Sequence, residues 1–284
     1  MRFSHRFATL LLAAAIACNG DADTKDTGAT DTDADADADA DTDTDTDTDT
    51  DTDTTAGFGI DAVAIDIATQ TPVPEGLCVD LIDPSPAITG GEPATLQSTT
   101  VGVGGAFSFT GVQTDSLVGI LMSVKDCAAP ATVYTSATGV PVEAYSGLGD
   151  GDVLAGQVAY SISMTLLEGF QASAEAVGYT GDLATDGMMF GFVFDAGGVP
   201  VSGATATCDS CGPTYYMDAD AADGLFSTGA APNSATVAAA NAAFLIPAGP
   251  IGAYNVDDGG AHSWATQLNG SNPGSATITA FYAE

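Results

Sequence analysis

The chain has 284 residues and carries 38 acidic side chains against four basic ones, a formal charge of −34 at pH 7. A surface this anionic repels phosphate and anionic lipid headgroups, which excludes nucleic acid as a partner and leaves divalent cations and basic groups as what it attracts. The N-terminus runs Met1, Arg2, Phe3, Ser4, His5, Arg6 and then apolar from Phe7 to Ala17, the charged and hydrophobic regions of an export signal. Eleven apolar residues are too few to span a bilayer as a helix.

The run ends in Ala15-Ile16-Ala17-Cys18, which resembles the lipobox of bacterial lipoproteins, with Ala15 where the family has Leu. The resemblance implies a signal peptide over residues 1–17 and a mature N-terminal Cys18 carrying diacylglycerol on its thiol. Several acyl chains on one residue supply the two hydrophobic signals that stable anchoring needs, so the membrane is a partner through the lipid. Asn19 after the cysteine resembles the Gram-negative signal for the outer membrane, on its periplasmic face or at the cell surface. Signal removal discards Arg2 and Arg6, leaving Lys25 and Lys125 as the basic residues.

From Asp21 to Thr55 the chain is almost only Asp, Thr and Ala, with 15 Asp and one Lys. Without large apolar residues it cannot offset the entropy of ordering, so residues 18–55 read as a disordered acidic tether behind the lipidated cysteine. Calcium loops need Gly turns and carbonyl ligands at set positions, which the tether lacks.

Beyond Thr55, Val63, Ile65 and Ile67 alternate with Ala64 and Asp66, the period-2 pattern of a half-buried strand, and Thr71-Pro72-Val73-Pro74-Glu75-Gly76 stops it. Further strands are predicted over 77–82, 106–109 and 117–124. Short strands between Gly and Pro clusters predict an all-β chain of antiparallel sandwiches. Residues 63–76, with Gly105 to Phe109 and Gly111-Val112, resemble the carboxypeptidase regulatory-like domain, a transthyretin-like β-sandwich. Residues 190–204 resemble that family's opening strand, turn and second strand: Phe190, Phe192 and Phe194 share a face, Gly197-Gly198 turn, and Val201 resumes. Asp223-Gly224-Leu225-Phe226 resembles its later Gly-x-Phe strand. The resemblance implies two sandwiches, over 56–130 and 187–284, joined by a connector over 131–186.

In that connector Thr165-Leu166-Leu167-Glu168 has capping-box form, and Leu167, Phe170, Ala174 and Val177 follow at helical spacing until Gly178. This predicts a short helix over 166–177. Gly169 inside it costs about 1 kcal/mol, so packing must hold it.

Cys78, Cys127, Cys208 and Cys211 are an even set in an exported chain, which favours disulfides. Of three connectivities, Cys78 with Cys127 and Cys208 with Cys211 keeps each pair local. The Cys208-Asp209-Ser210-Cys211 spacing also fits redox chemistry or half a zinc site, but it follows a strand among carboxylates and has no second ligand pair.

Beyond the signal, His262 is the one histidine, and a Ser-His-Asp site would need it with Asp257 or Asp258; no Gly-x-Ser-x-Gly elbow is present. The 23 acids beyond Thr55 offer carboxylate pairs by chance alone, and the glycines from 102 to 105 lead into a strand where phosphate binding needs a helix N-terminus. Catalytic residues are therefore not assigned. Asp218, Asp220 and Asp223 before Gly224 resemble the start of a calcium loop and are candidate metal ligands, although the closing Glu is missing. Calcium is the one candidate cofactor.

Aromatics gather late, at Tyr215, Tyr216, Phe244, Tyr254 and Trp264. They are either core or a stacking platform, in which Tyr254 and Trp264 would be the binding pair. The sequence thus predicts a non-enzymatic, surface-displayed envelope lipoprotein with a structural or adhesion role. An envelope glycan or cell-wall binder, calcium-assisted, is the second reading, and a cryptic hydrolase the third.

Overall fold

Residues 57–113, 117–220, 224–228, 231–232 and 234–284 are described by the computed structural model. The export signal, Cys18, the Asp/Thr tether and Asp223 lie outside them. The described residues belong to one compact unit.

The strands of the first half are β1 (Phe58–Asp66), β2 (Cys78–Asp83), β3 (Ala94–Thr100), β4 (Ala106–Val112), β5 (Ile120–Lys125), β6 (Val133–Tyr134), β7 (Ser136–Val140) and β8 (Val153–Ser163). Those of the second are β9 (Met188–Phe194), β10 (Thr205–Cys208), β11 (Tyr215–Tyr216), β12 (Ser227–Thr228), β13 (Ala231–Pro232), β14 (Ala243–Pro247), β15 (Gly252–Asp257), β16 (Gln267–Asn269) and β17 (Ala276–Tyr282). Four α-helical segments complete them: α1 (Ser85–Ile88), α2 (Val142–Tyr145), α3 (Met164–Ala176) and α4 (Leu183–Asp186).

Strand β1 alternates as predicted, but on the opposite face. Phe58, Ile60, Ala62 and Ala64 are buried while Val63 is 37% exposed. The strand starts upstream of the predicted run, and the large Phe58 and Ile60 put the even-numbered residues inside.

The fold is built on one eight-stranded sheet, in the order β11-β14-β9-β17-β7-β5-β2-β3. Register places Ile278 beside Thr138, Thr138 beside Met122 and Met122 beside Leu81, so these residues share one face. Over the first half of that face packs the sheet β4-β1-β8-β6, enclosing Ile60, Val79, Leu81, Phe109, Met122 and Val124. Over the second half packs α3, with Leu167, Phe170 and Ala174 against Phe190, Leu245 and Ile278. On the reverse side of the second half, the small sheet β10-β15-β16 covers Met189, Val193, Phe244 and Phe281 with Ala206, Tyr254 and Val256.

The all-β expectation stands in this mostly β structure of packed sheets, yet the division into two sandwiches and a connector differs from the pairing seen. The last strand, β17, lies between β9 and β7 and runs parallel to both. Strands from the two expected domains therefore share a sheet, and residues 131–186 supply β6, β7 and β8 as well as α3 and α4. Parallel pairing also joins β1 to β8. Local alternation and turn chemistry mark where strands lie, but carry no record of which distant strand each meets.

The predicted helix is α3. Its N-cap is Ser163, whose hydroxyl accepts the Leu166 N–H, two residues before the expected Thr165. At its end Gly178, with φ +101°, takes the left-handed conformation, and the N–H groups of Gly178 and Tyr179 close on the carbonyls of Glu175 and Ala174.

Candidate functional site

The side of β2 and β5 turned away from β1 carries Lys125, the one lysine beyond Thr55. Antiparallel pairing sets Asp80 of β2 between Ser98 of β3 and Ser123 of β5, and sets Lys125 opposite Cys78. Lys125 is thus diagonal to Asp80 and within reach of its carboxylate. Lys125 Nζ pairs with Asp80 Oδ2, and Ser98 Oγ donates to Oδ1 at 2.7 Å. The Asp80 side chain is 9% exposed and that of Lys125 40%. A buried carboxylate needs this compensation. The lysine charge and serine hydroxyl are both directed at Asp80, so the cluster ties three adjacent strands together and leaves no activated nucleophile.

Beside it, Asp126 holds the following loop. Its Oδ2 accepts the N–H groups of Thr132 (2.8 Å) and Val133 (2.9 Å), and its Oδ1 the Thr132 hydroxyl. Burial pushes this carboxyl up, but the three hydrogen bonds outweigh it and its pKa falls below the ordinary value. Neither acid stood out in the sequence; the signal that could have found Asp80 was Lys125, a single cation that some carboxylate had to meet.

His262 and Asp258 do come together. His262 Nδ1 lies 2.6 Å from Asp258 Oδ2, while Asp258 Oδ1 accepts the N–H groups of Ala261 and His262. The His262 side-chain bond, helped by these N–H groups, holds the Asp258 carboxyl below its usual range. Asp257 instead caps the Gly259 N–H. Asp258 thus braces its own loop through the imidazole and two backbone N–H groups.

Of the two readings of the late aromatics, core or stacking platform, the structure places Tyr254 in the core. Tyr254 is fully buried, its hydroxyl donates to the Pro250 carbonyl at 2.8 Å, and burial raises its pKa to about 12. Tyr215, Tyr216 and Phe244 are buried as well. Trp264 is half-buried, with Nε1 donating to the Phe194 carbonyl at 3.1 Å and its ring 5.5 Å from that of His262. The alternation of β15 decides this, since Tyr254 and Val256 must both face the core once Asn255 faces out.

The cysteines pair as Cys78–Cys127 and Cys208–Cys211. The second pair ends β10, and its sulfurs are bonded to each other, unavailable as thiolate ligands. Of the candidate calcium ligands, Asp218 Oδ1 accepts the Asp220 N–H at 2.9 Å. Among the described residues no three His, Cys, Asp or Glu side chains are grouped to hold a metal ion.

Comparison with protein-family models and with curated proteins gives no match. Among solved structures the chain is similar to the pilus 2b backbone protein of group B streptococcus, at 14% identity and a TM-score of 0.25, over 39% of this chain and 43% of that one. It is similar to the major pilin SpaD of Corynebacterium diphtheriae, at 20% identity and a TM-score of 0.26, over 38% and 32%. The shaft pilin SpaA of Lactobacillus rhamnosus GG matches at 9% identity and a TM-score of 0.24, over 81% and 97%. The chain spans less than half the length of the first two. Likeness at these values fixes neither activity nor partner.

Proposed function

We propose that the protein is a non-enzymatic structural or adhesion module, displayed on a Gram-negative cell and held to the outer membrane through acylated Cys18 and the Asp/Thr-rich segment. One observation carries this reading more than any other. Asp66, Asp126, Asp195 and Asp258 each accept two backbone N–H groups within their own loops. Carboxylates committed in this way brace turns, and the remaining lysine–carboxylate pair clasps neighbouring strands. That is how a chain uses acids when its task is to keep a shape. Kinship with carboxypeptidase regulatory-like sandwiches belongs to the same proposal. It is supported at residues 190–204, where Asp195 organises the turn and the Val201 N–H returns to the Val193 carbonyl at 3.0 Å.

Antibody labelling of intact cells tests the display, and retention of those cells on immobilised envelope material and on one another tests the adhesion. Wild-type cells are expected to label and adhere, while Cys18→Ser sends the protein into the medium and abolishes both. Label appearing only after the outer membrane is permeabilised would overturn surface display. Adhesion unchanged in cells lacking the protein would overturn the adhesion role.

A further inference from the structure

The acids are unevenly distributed. Of the 23 beyond Thr55, only Asp257, Asp258 and Glu284 follow Asp223. Two strands of the sheet β10-β15-β16, β15 and β16, lie in this depleted part, and the sheet is on the opposite side of the eight-stranded sheet from β1, where the described chain begins. Its inner residues, Ala206, Tyr254 and Val256, belong to the core. Its outer face is set by register, with Thr207 beside Asn255, Thr205 beside Asp257 and Ala253 beside Leu268. Thr266 donates to Asn255 Oδ1 at 2.6 Å, and Leu268 is 53% exposed. Asp257 at one corner is the single charge on the strands of this face; Asp209 stands in the turn beyond β10, and Asp258 is engaged by His262.

We propose that this outer face is where two copies of the protein meet, an inference that rests on the adhesion reading above and names its partner. A basic partner would settle on the acid-rich remainder of the surface. A second copy, itself strongly anionic, meets little repulsion on strands whose one charge, Asp257, stands at a corner. Thr207, Asn255 and Thr266 each donate and accept hydrogen bonds, so the face complements itself across a two-fold axis, with Ala253 and Leu268 as its apolar centre. Three short strands cover roughly 14 by 20 Å, which places the contact among weak interfaces, so it acts through many copies on one surface. Its salt response is distinctive: screening relieves the repulsion between bodies and strengthens the contact, whereas an ion-paired interface weakens.

Beads coated with the full chain carrying Cys18→Ser, so that no acyl group drives association, provide the test. They are expected to clump severalfold faster as salt rises from about 0.01 to about 1 M, over which the Debye length falls from about 30 to 3 Å. Beads bearing Leu268→Glu alone, or Leu268→Lys alone, should stay dispersed, and an equal mixture of the two should clump again. Recovery in the mixture also shows that both variants fold. Clumping of Leu268→Glu beads at the wild-type rate, or a mixture that stays dispersed, would overturn the proposal. Wild-type beads that never clump would overturn it too; if cells still adhered through the protein, the adhesion role would survive with a foreign partner.

Discussion

Lys125 and Asp80 show how a single charge is used inside an anionic body. Lys125→Met strands the Asp80 carboxylate, and the expected loss is about 2 kcal/mol. This is less than the roughly 3–5 kcal/mol of fully buried pairs, because solvent screens the half-exposed ammonium. The double variant Asp80→Asn/Lys125→Met should regain most of that loss in urea unfolding, and no recovery would mean that the lysine acts through its aliphatic stem. Asp126 makes a pH-dependent contribution. Its carboxyl, lowered in the fold from an ordinary value of 3.8, stabilises the protein fully above that ordinary value; the contribution is lost as pH falls through the lowered one. Wild type and Asp126→Asn should therefore converge in stability as the pH is taken below about 4, and curves that stay parallel there would count against the assignment. The presence of Lys125 was legible in the sequence, but its partner was not, because Asp80 lies 45 residues away among 23 comparable acids.

At the scale of elements, helix α3 was legible because its start, its apolar spacing and its glycine stop are all local. The face of β1 was not, since moving the start of the strand from Val63 to Phe58 leaves its period intact and adds the large Phe58 and Ile60, which decide its orientation. Between β9 and β14 an aromatic ring takes the place of a missing side chain. Gly191 lies opposite Phe244, and a Cβ there would stand 2.2 Å from the ring's Cζ. The ring cannot easily yield, being packed against Tyr216 and Phe281. Gly191→Ala is expected to cost about 1–3 kcal/mol in denaturant unfolding, with part of the loss restored by Phe244→Leu. A neutral Gly191→Ala would show that the strands part more freely than this packing implies.

For the molecule as a whole, the sequence yields the β class and the local cysteine pairs but not the large sheet. The disulfides follow proximity in the chain: Cys78 and Cys127 are 49 residues apart, Cys208 and Cys211 three. On the chain-entropy account they contribute about 4 and about 2 kcal/mol. By contrast, β17 meets β7 across some 140 residues, and its neighbours look like ordinary edge strands until it is in place. That placement has a consequence in time. The other described strands precede β17, so while the polypeptide is being made the forming sheet lacks its middle, and Ala276, Ile278 and Phe281 are missing from the cores they complete. Contacts of such long sequence separation form slowly, because a large loop must close before they reward it. A polypeptide with this order of assembly stays pliable until β17 arrives and becomes rigid only when that strand closes the sheet.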